Sequence, residues 1–271
     1  MSNNFYLLIH NDIKKYVKTE SKTLTFLLQN SALILFDFFS SYFPFGSSWL
    51  HEVYHRAVLT RREINSYNEL YSIPIGKSAI YVKEIKDEDL IRLHNSNIQD
   101  FIRLNSAGLE GQYHQIQALQ KFNFYYNEDV PNLYHYWLNT FNSIFYVLSF
   151  AIPDQFDEDI DNWNLKEKKI PDRDFTGPDF TAWTKPLFNP TEPYEARGIH
   201  PTGVGINRYI KPSQLNDNEK KFLIKQGRLQ FINLISHHLF DFSKIKLKNE
   251  EDYYFNFAFR HVLTSFGYDV F

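Results

Sequence analysis

A mainly helical fold of the α+β class is what this 271-residue chain predicts. Apolar segments of helical length recur, only one short stretch alternates like a strand, and one long Pro/Gly-rich stretch interrupts the pattern. With 43% hydrophobic and 23% charged residues, the chain can bury a sizeable core. Aromatic residues make up 18% of it, with 26 Phe and 18 Tyr against a single Met, so rings rather than flexible side chains fill that core.

In chain order, residues 18–39 read as a helix that ends at the aromatic break Tyr42-Phe43-Pro44-Phe45-Gly46. Ser47 or Ser48 can cap a second helix reaching about Arg62. Residues 65–76, punctuated by Pro74 and Gly76, read as loop, and 79–85 (AIYVKEI) as a strand. Asp87 opens a helix through about Leu104, and Asn105-Ser106 caps another running to about Lys121. Pro131 precedes an apolar helix over 133–152. The acidic cluster at Asp154, Asp157, Glu158, Asp159 and Asp161 reads as solvated surface. Residues 171–212 hold seven prolines and four glycines and read as loop. Asn216 and Glu219 form a capping-box pattern that opens a helix toward Phe240, and the aromatic tail 253–271 fits strand or helix.

Composition narrows the function classes. Lys plus Arg number 29 against 32 Asp plus Glu, a net charge of -3, and no long basic run occurs, which disfavours a nucleic-acid partner. With no cysteine, disulfide scaffolds, thiolate metal sites and cysteine nucleophiles are excluded, so a metal must be held by His, Asp or Glu. Segments 31–50 and 133–152 each reach the roughly 20 residues that span hydrocarbon. Asp37, Pro44 and Gly46 dilute the first; His135, Asn139 and Asn142 dilute the second. Together with a mean hydropathy of -0.42, this favours two buried helices of a globular core, with membrane association as the alternative. The apolar stretch 5–9 is too short for a secretory signal, so a cytoplasmic or membrane-associated location is expected.

One constellation carries chemistry. His51-Glu52-Val53-Tyr54-His55 is an HExxH motif. On a helix its two imidazoles lie one turn apart on one face, able to reach one ion, with Glu52 beside them to accept a proton from water. Uncharged Trp49, Leu50, Val53 and Tyr54 surround it, and the motif resembles that of the zincin metallopeptidases. Arg56 departs from that pattern, which has an uncharged residue after the second His. The metzincin branch does not fit, since its Gly falls at Val58 and its third His at Arg61, and the Asp-Gly dipeptide of the intramembrane site-2 type is absent. The chain is closest to the gluzincin pattern, including its membrane-associated members, through two short motifs.

That resemblance implies a catalytic Zn2+ held by His51, His55 and a glutamate on a downstream helix, with Glu52 as general base. Glu110 in Gly108-Leu109-Glu110-Gly111-Gln112-Tyr113-His114 fits the third position, with Glu69 as the fallback. His114 stands where the membrane gluzincins carry an aspartate, and Gly108 and Gly111 let the two helices approach closely. Arg197 and His200, in a turn-like Gly-rich segment, are oxyanion candidates of a lid, although a structural turn is favoured there. Adjacent His237 and His238 face different sides of a helix and cannot chelate together.

The organisation expected is a helical, zincin-like metal-site core over 1–165, a loop or lid over 166–214, and a C-terminal helix and tail over 215–271, also readable as one continuous domain. The function expected is a zinc-dependent hydrolase, a metallopeptidase acting on a peptide or protein. The alternative is a non-catalytic, membrane-associated binding or scaffold protein with a degenerate or structural metal site.

Overall fold

The computed structural model describes residues 2–70, 80–126, 130–151, 156–236, 244–246, 252–254 and 258–271. Helix α1 (Ser2–Tyr16) has no counterpart in the sequence expectation. Helix α2 (Lys22–Ser40) starts where the Ser21 hydroxyl accepts the Leu24 N–H. The aromatic break follows as expected, and α3 (Ser47–Arg61) begins after it. Its N-cap is Gly46 rather than either serine, because a Cβ at residue 46 would stand 2.2 Å from the Ser40 carbonyl oxygen.

Strands β1 (Tyr67–Leu70) and β2 (Ile80–Lys83) pair antiparallel, Tyr67 opposite Lys83 and Leu70 opposite Ile80. The stretch expected as loop therefore begins as strand, while Pro74 and Gly76 lie outside the described residues. Helices α4 (Asp87–Ser96) and α5 (Ile98–Tyr126) are divided at Asn97, not at Asn105-Ser106. The Asn97 side chain accepts the Asp100 N–H at 2.8 Å and caps α5. Asn105 sits inside α5 because its amide finds other partners, donating to the Phe101 carbonyl and accepting from Thr176.

Helices α6 (Val130–Phe150) and α7 (Asp157–Lys166) follow. The acidic cluster expected as plain surface places Asp157, Glu158 and Asp159 in the first turn of α7, where the helix dipole favours them. Helix α8 (Asp179–Phe188) lies inside the Pro/Gly-rich stretch expected as loop. Helix α9 (Asp217–Leu229) opens with the expected Asn216–Glu219 capping box and passes into a 3-10 turn over 230–234. The helix does not run on toward Phe240 as expected: Ile235 closes the 3-10 turn and Ser236 bridges Ala258, while 237–240 lie outside the described residues. Strand pairs β3 (Lys244–Lys246) with β4 (Asp252–Tyr254), and β5 (His261–Thr264) with β6 (Gly267–Val270), complete a mainly helical chain.

Helix α5 joins two core clusters. One gathers Leu59 of α3, Val82 of β2, Leu93 of α4, Leu104 of α5 and Phe175. The other gathers Leu109 of α5, Val147 of α6, Phe180 and Trp183 of α8, Leu223 of α9 and Leu263 of β5. Each such side chain contributes roughly 1.5–3 kcal/mol by leaving water. Trp183 also donates its indole N–H to the Thr264 carbonyl at 2.9 Å, tying α8 to the C-terminal hairpin. Segment 133–152 packs Tyr136, Ile144, Val147 and Phe150 inward but leaves Phe141 and Phe145 exposed, and α2 is barely buried: only 22% of its apolar window is covered.

A buried polar chain fixes the base of that hairpin. Tyr113 donates its hydroxyl to Gln230 Oε1 at 2.7 Å, which orients the amide so that Gln230 Nε2 donates to His261 Nδ1. His261 Nε2 then donates to Gln226 Oε1 at 2.9 Å, the arrangement of a neutral imidazole. Burial pulls the His261 pKa from 6.5 down to about 4. On acidification the unfolded chain therefore takes up this proton first, and the stability contributed by His261 is lost as pH falls from 6.5 through about 4. Gln230→Glu, which opposes Nδ1 with an acceptor, should lose less stability than wild type between about pH 7.5 and pH 4.5, read from urea midpoints.

Candidate metal centre

His51 and His55 lie one turn apart on α3 at 6% and 0% exposure. Burying two imidazoles this deeply requires a neighbouring helix with room for them, and α5 supplies it at its glycines. A Cβ on Gly108 would stand 2.2 Å from His51 Nε2, and one on Gly111 would stand 2.2 Å from the Tyr54 ring. The close approach expected of these two glycines is thus what the packing requires.

The tautomer of His55 is set by α5. Its Nδ1 donates to the Leu104 carbonyl at 2.6 Å, which turns Nε2 toward the pocket. Facing it is Asp179, the first residue of α8. Asp179 Oδ2 lies 3.0 Å from His51 Nε2 and 3.4 Å from His55 Nε2, and accepts the Tyr146 hydroxyl at 2.8 Å. One ligand atom from each of His51, His55 and Asp179 falls within 4.8 Å of the others. Donors about 2.0–2.1 Å from a tetrahedral ion are themselves about 3.3 Å apart, close to both separations of Asp179 from the imidazoles, and the N/N/O chemistry is that of a divalent cation.

A loop hung on Asp174 delivers Asp179. Asp174 Oδ1 accepts the Val82 N–H of β2 at 3.2 Å and the Phe175 N–H at 2.8 Å, while Oδ2 accepts the Gly177 N–H at 3.2 Å. Gly177 turns with φ +66°, and a Cβ there would meet the Tyr209 ring at 2.6 Å. Thr181, one turn into α8, donates to the Ile210 carbonyl at 2.6 Å and fixes the helix start.

The pocket is crowded with acid. Burial acts to raise the Asp179 carboxyl, yet the charge of His55 and hydrogen bonds from both imidazoles hold it well below the usual carboxylate range. Burial opposes a charged His55, but Asp179 and Glu52 push it up to about 9, whereas burial keeps His51 below its ordinary value. Glu52 is pushed well above the carboxylate range by burial, with Asp174 and Asp179 adding and His55 opposing. Asp174 rises to about 7 through burial, reinforced by Glu167 and Asp179. Three carboxyls around two imidazoles are a site that positive charge relieves.

Glu110 is not the third member of this group; Asp179 is. Glu110 takes a two-pronged bond from Arg103, at 2.9 and 2.6 Å. The reason is helical geometry: at 100° per residue, a helix that turns Gly108 toward His51 turns Glu110 about 200° away. The same rotation puts His114 outside, with a side chain 59% exposed and its Nε2 3.8 Å from Glu110. Glu69 sits on β1, ion-paired with Lys83 and accepting from the Tyr81 hydroxyl. Arg197 donates to the Arg208 carbonyl and lies over the Tyr194 ring, while His200 bonds Thr202. Both belong to the turn that packs beside the buried Arg208–Asp87 pair, so neither joins the triad. Arg56, the departure from the zincin pattern, is directed to the Tyr67 ring at 5.9 Å. His237 and His238 lie outside the described residues.

Sequence reasoning missed Asp179 and Tyr146. The available signal for Asp179 was local: an acid directly after Pro178 is a helix-start pattern, and a helix start inside a supposed loop marks a positioned carboxylate.

Two outcomes test this geometry. Asp179→Ala should abolish Zn2+ uptake by calorimetric titration, while Glu110→Ala retains it; the reverse result would restore the glutamate as ligand. Gly108→Ala should lower the free energy of unfolding by about 1–3 kcal/mol in chemical denaturation, because its methyl overpacks the His51 ring.

The site stands on its own geometry, since no family model matches the chain, and neither curated proteins nor solved structures give a significant match.

Proposed function

We propose that the chain is a metal-dependent hydrolase of the metallopeptidase type, with His51, His55 and Asp179 holding the cation and Glu52 as general base. The observation that carries this reading is the convergence of two imidazole Nε2 atoms on one buried carboxylate oxygen, beside the HExxH glutamate. The crowding of Asp179, Glu52 and Asp174 around the two imidazoles supports it, because positive charge relieves such a set.

Zn2+ is the cation proposed for this donor set. Bound there, it would lower the pKa of water and polarise a carbonyl. The residues of the chain do the rest. Glu52 takes a proton from the attacking water onto its carboxylate oxygen and passes it to the leaving amine, a role suited to a carboxyl whose proton affinity burial has raised. The Leu104 carbonyl keeps the Nδ1 proton of His55 in place, and the Tyr146 hydroxyl orients Asp179. The substrate proposed is a peptide or protein, following the zincin likeness of His51-Glu52-Val53-Tyr54-His55.

A second reading keeps the metal without the chemistry, as a structural site in a binding or scaffold protein. The deep burial of both imidazoles favours it, since structural sites are closed to solvent.

The protein expressed with zinc and assayed on a fluorogenic peptide library separates the readings. The hydrolase predicts bound zinc in wild type and Glu52→Gln alike, with kcat/KM lower in the variant by about 10²–10⁴. Zinc without cleavage in wild type selects the structural site. A wild-type protein that takes up no metal ends both.

A further inference from the structure

Helix α2 is inverted: it faces the protein with its polar residues and solvent with its apolar ones. The buried stripe is Asn30, Leu33, Asp37 and Ser40, spaced three and four apart as one helical face must be, and three of the four are polar. The opposite face carries Leu28, Leu35, Phe38 and Phe39, each 40–55% exposed, with Leu27 and Ile34 exposed at its flank. Its neighbour α6 shares part of the pattern, burying polar groups beside Tyr136, Ile144 and Val147. His135, Asn139, Thr140 and Ser143 are buried, while Phe141 and Phe145 are exposed with their rings stacked at 6.3 Å.

The inward polar groups are organised around one another. His10 Nε2 lies 2.6 Å from Asp37 Oδ1, Ser40 donates to the Tyr6 hydroxyl at 2.9 Å, and Tyr134 donates to Asn30 at 2.7 Å. Asp37 Oδ2, His10 Nδ1 and both amide atoms of Gln112 and Gln115 are buried without hydrogen-bond partners. In water such a layout is unfavourable on both sides, exposing apolar area and burying unsatisfied polar atoms. In hydrocarbon it is the required one: ionisable groups turn to the bundle interior and apolar side chains face outward.

We infer that the outer face of α2, with Phe141 and Phe145 of α6 beside it, lies in the acyl layer of an anionic lipid bilayer. The ends of α2 agree. Where α1 passes into α2, Lys14, Lys15, Lys18 and Lys22 outnumber the exposed Asp12 and Glu20, a net-positive collar for anionic headgroups. Tyr42, Phe43 and Trp49 follow its other end, the composition of a membrane-interface belt. Nineteen helical residues extend about 28 Å, close to the thickness of the hydrocarbon layer. Among the described residues α2 is the one helix long and apolar enough to cross a membrane. A second copy of the chain would cover the same apolar face but gives the lysine collar no partner, so lipid is the occupant the charges favour. The inference does not rest on the metal site.

The chain has no cysteine, so a single one can report on each face. Leu27→Cys and Leu35→Cys on α2, with Glu158→Cys on α7 as control, are labelled with an environment-sensitive nitrobenzoxadiazole probe. The full chain is then mixed with vesicles of phosphatidylcholine alone or with phosphatidylglycerol. Probes at 27 and 35 should shift to the blue and be quenched by brominated lipids, while the probe at 158 does neither. Replacing Lys15, Lys18 and Lys22 together by Gln should weaken binding to the anionic vesicles about a hundredfold. Probes at 27 and 35 that ignore vesicles overturn the inference, and a dimer in light scattering would then assign the face to a second copy. Equal binding to both vesicle types overturns the anionic surface. Neither readout involves metal or hydrolysis, so failure here and failure of the proposed activity are separate results.

Discussion

The candidate site depends on the distance at which α5 passes α3. Gly108 and Gly111 bring the backbone of α5 against His51 and Tyr54, closer than any side chain at either position would permit. That approach does two things for the imidazoles. It covers them, removing both rings from solvent, and it brings the Leu104 carbonyl within 2.6 Å of His55 Nδ1. The glycines weaken α5 as an isolated helix, by about 1 kcal/mol each relative to alanine, and tertiary packing offsets that cost.

Around the pair, electrostatics follows from burial. Asp179 keeps its charge because two imidazoles and the Tyr146 hydroxyl face it, while Glu52 and Asp174, with weaker compensation, are pushed toward the protonated form. Asp174 meanwhile binds three backbone N–H groups and holds the loop that leads to α8. The same acid therefore shapes the segment that delivers Asp179 and adds negative charge beside it. A proton on His55 or a cation between the three ligands satisfies the same demand.

Polarity divides the molecule. Around α5, α8 and α9 the arrangement is that of a protein in water, with Leu109, Phe180, Trp183 and Leu223 buried together. Along α2 it is reversed, with asparagine, aspartate and serine inside and phenylalanine and leucine outside. Asp37, which made the α2 segment read as a buried helix, is indeed buried against His10; the exposed apolar face is what hydropathy alone did not give.

The sequence by itself determined what depends on neighbours along the chain. Four-residue spacing put His51 and His55 on one face of α3, the Asn216–Glu219 box started α9, and apolar runs announced α2 and α6, because helical periodicity and capping are local. Expectations that required a direction across space fared differently. Gly108 against His51 and Glu110 as ligand could not both be true of one helix, and the rotation of α5 was set by packing that no local pattern encodes. Asp179, 128 residues from His51, meets it only because a turn anchored on Asp174 and Gly177 brings α8 to the pair. Periodicity tells which residues share a face; the long-range contacts of the folded chain decide what that face meets.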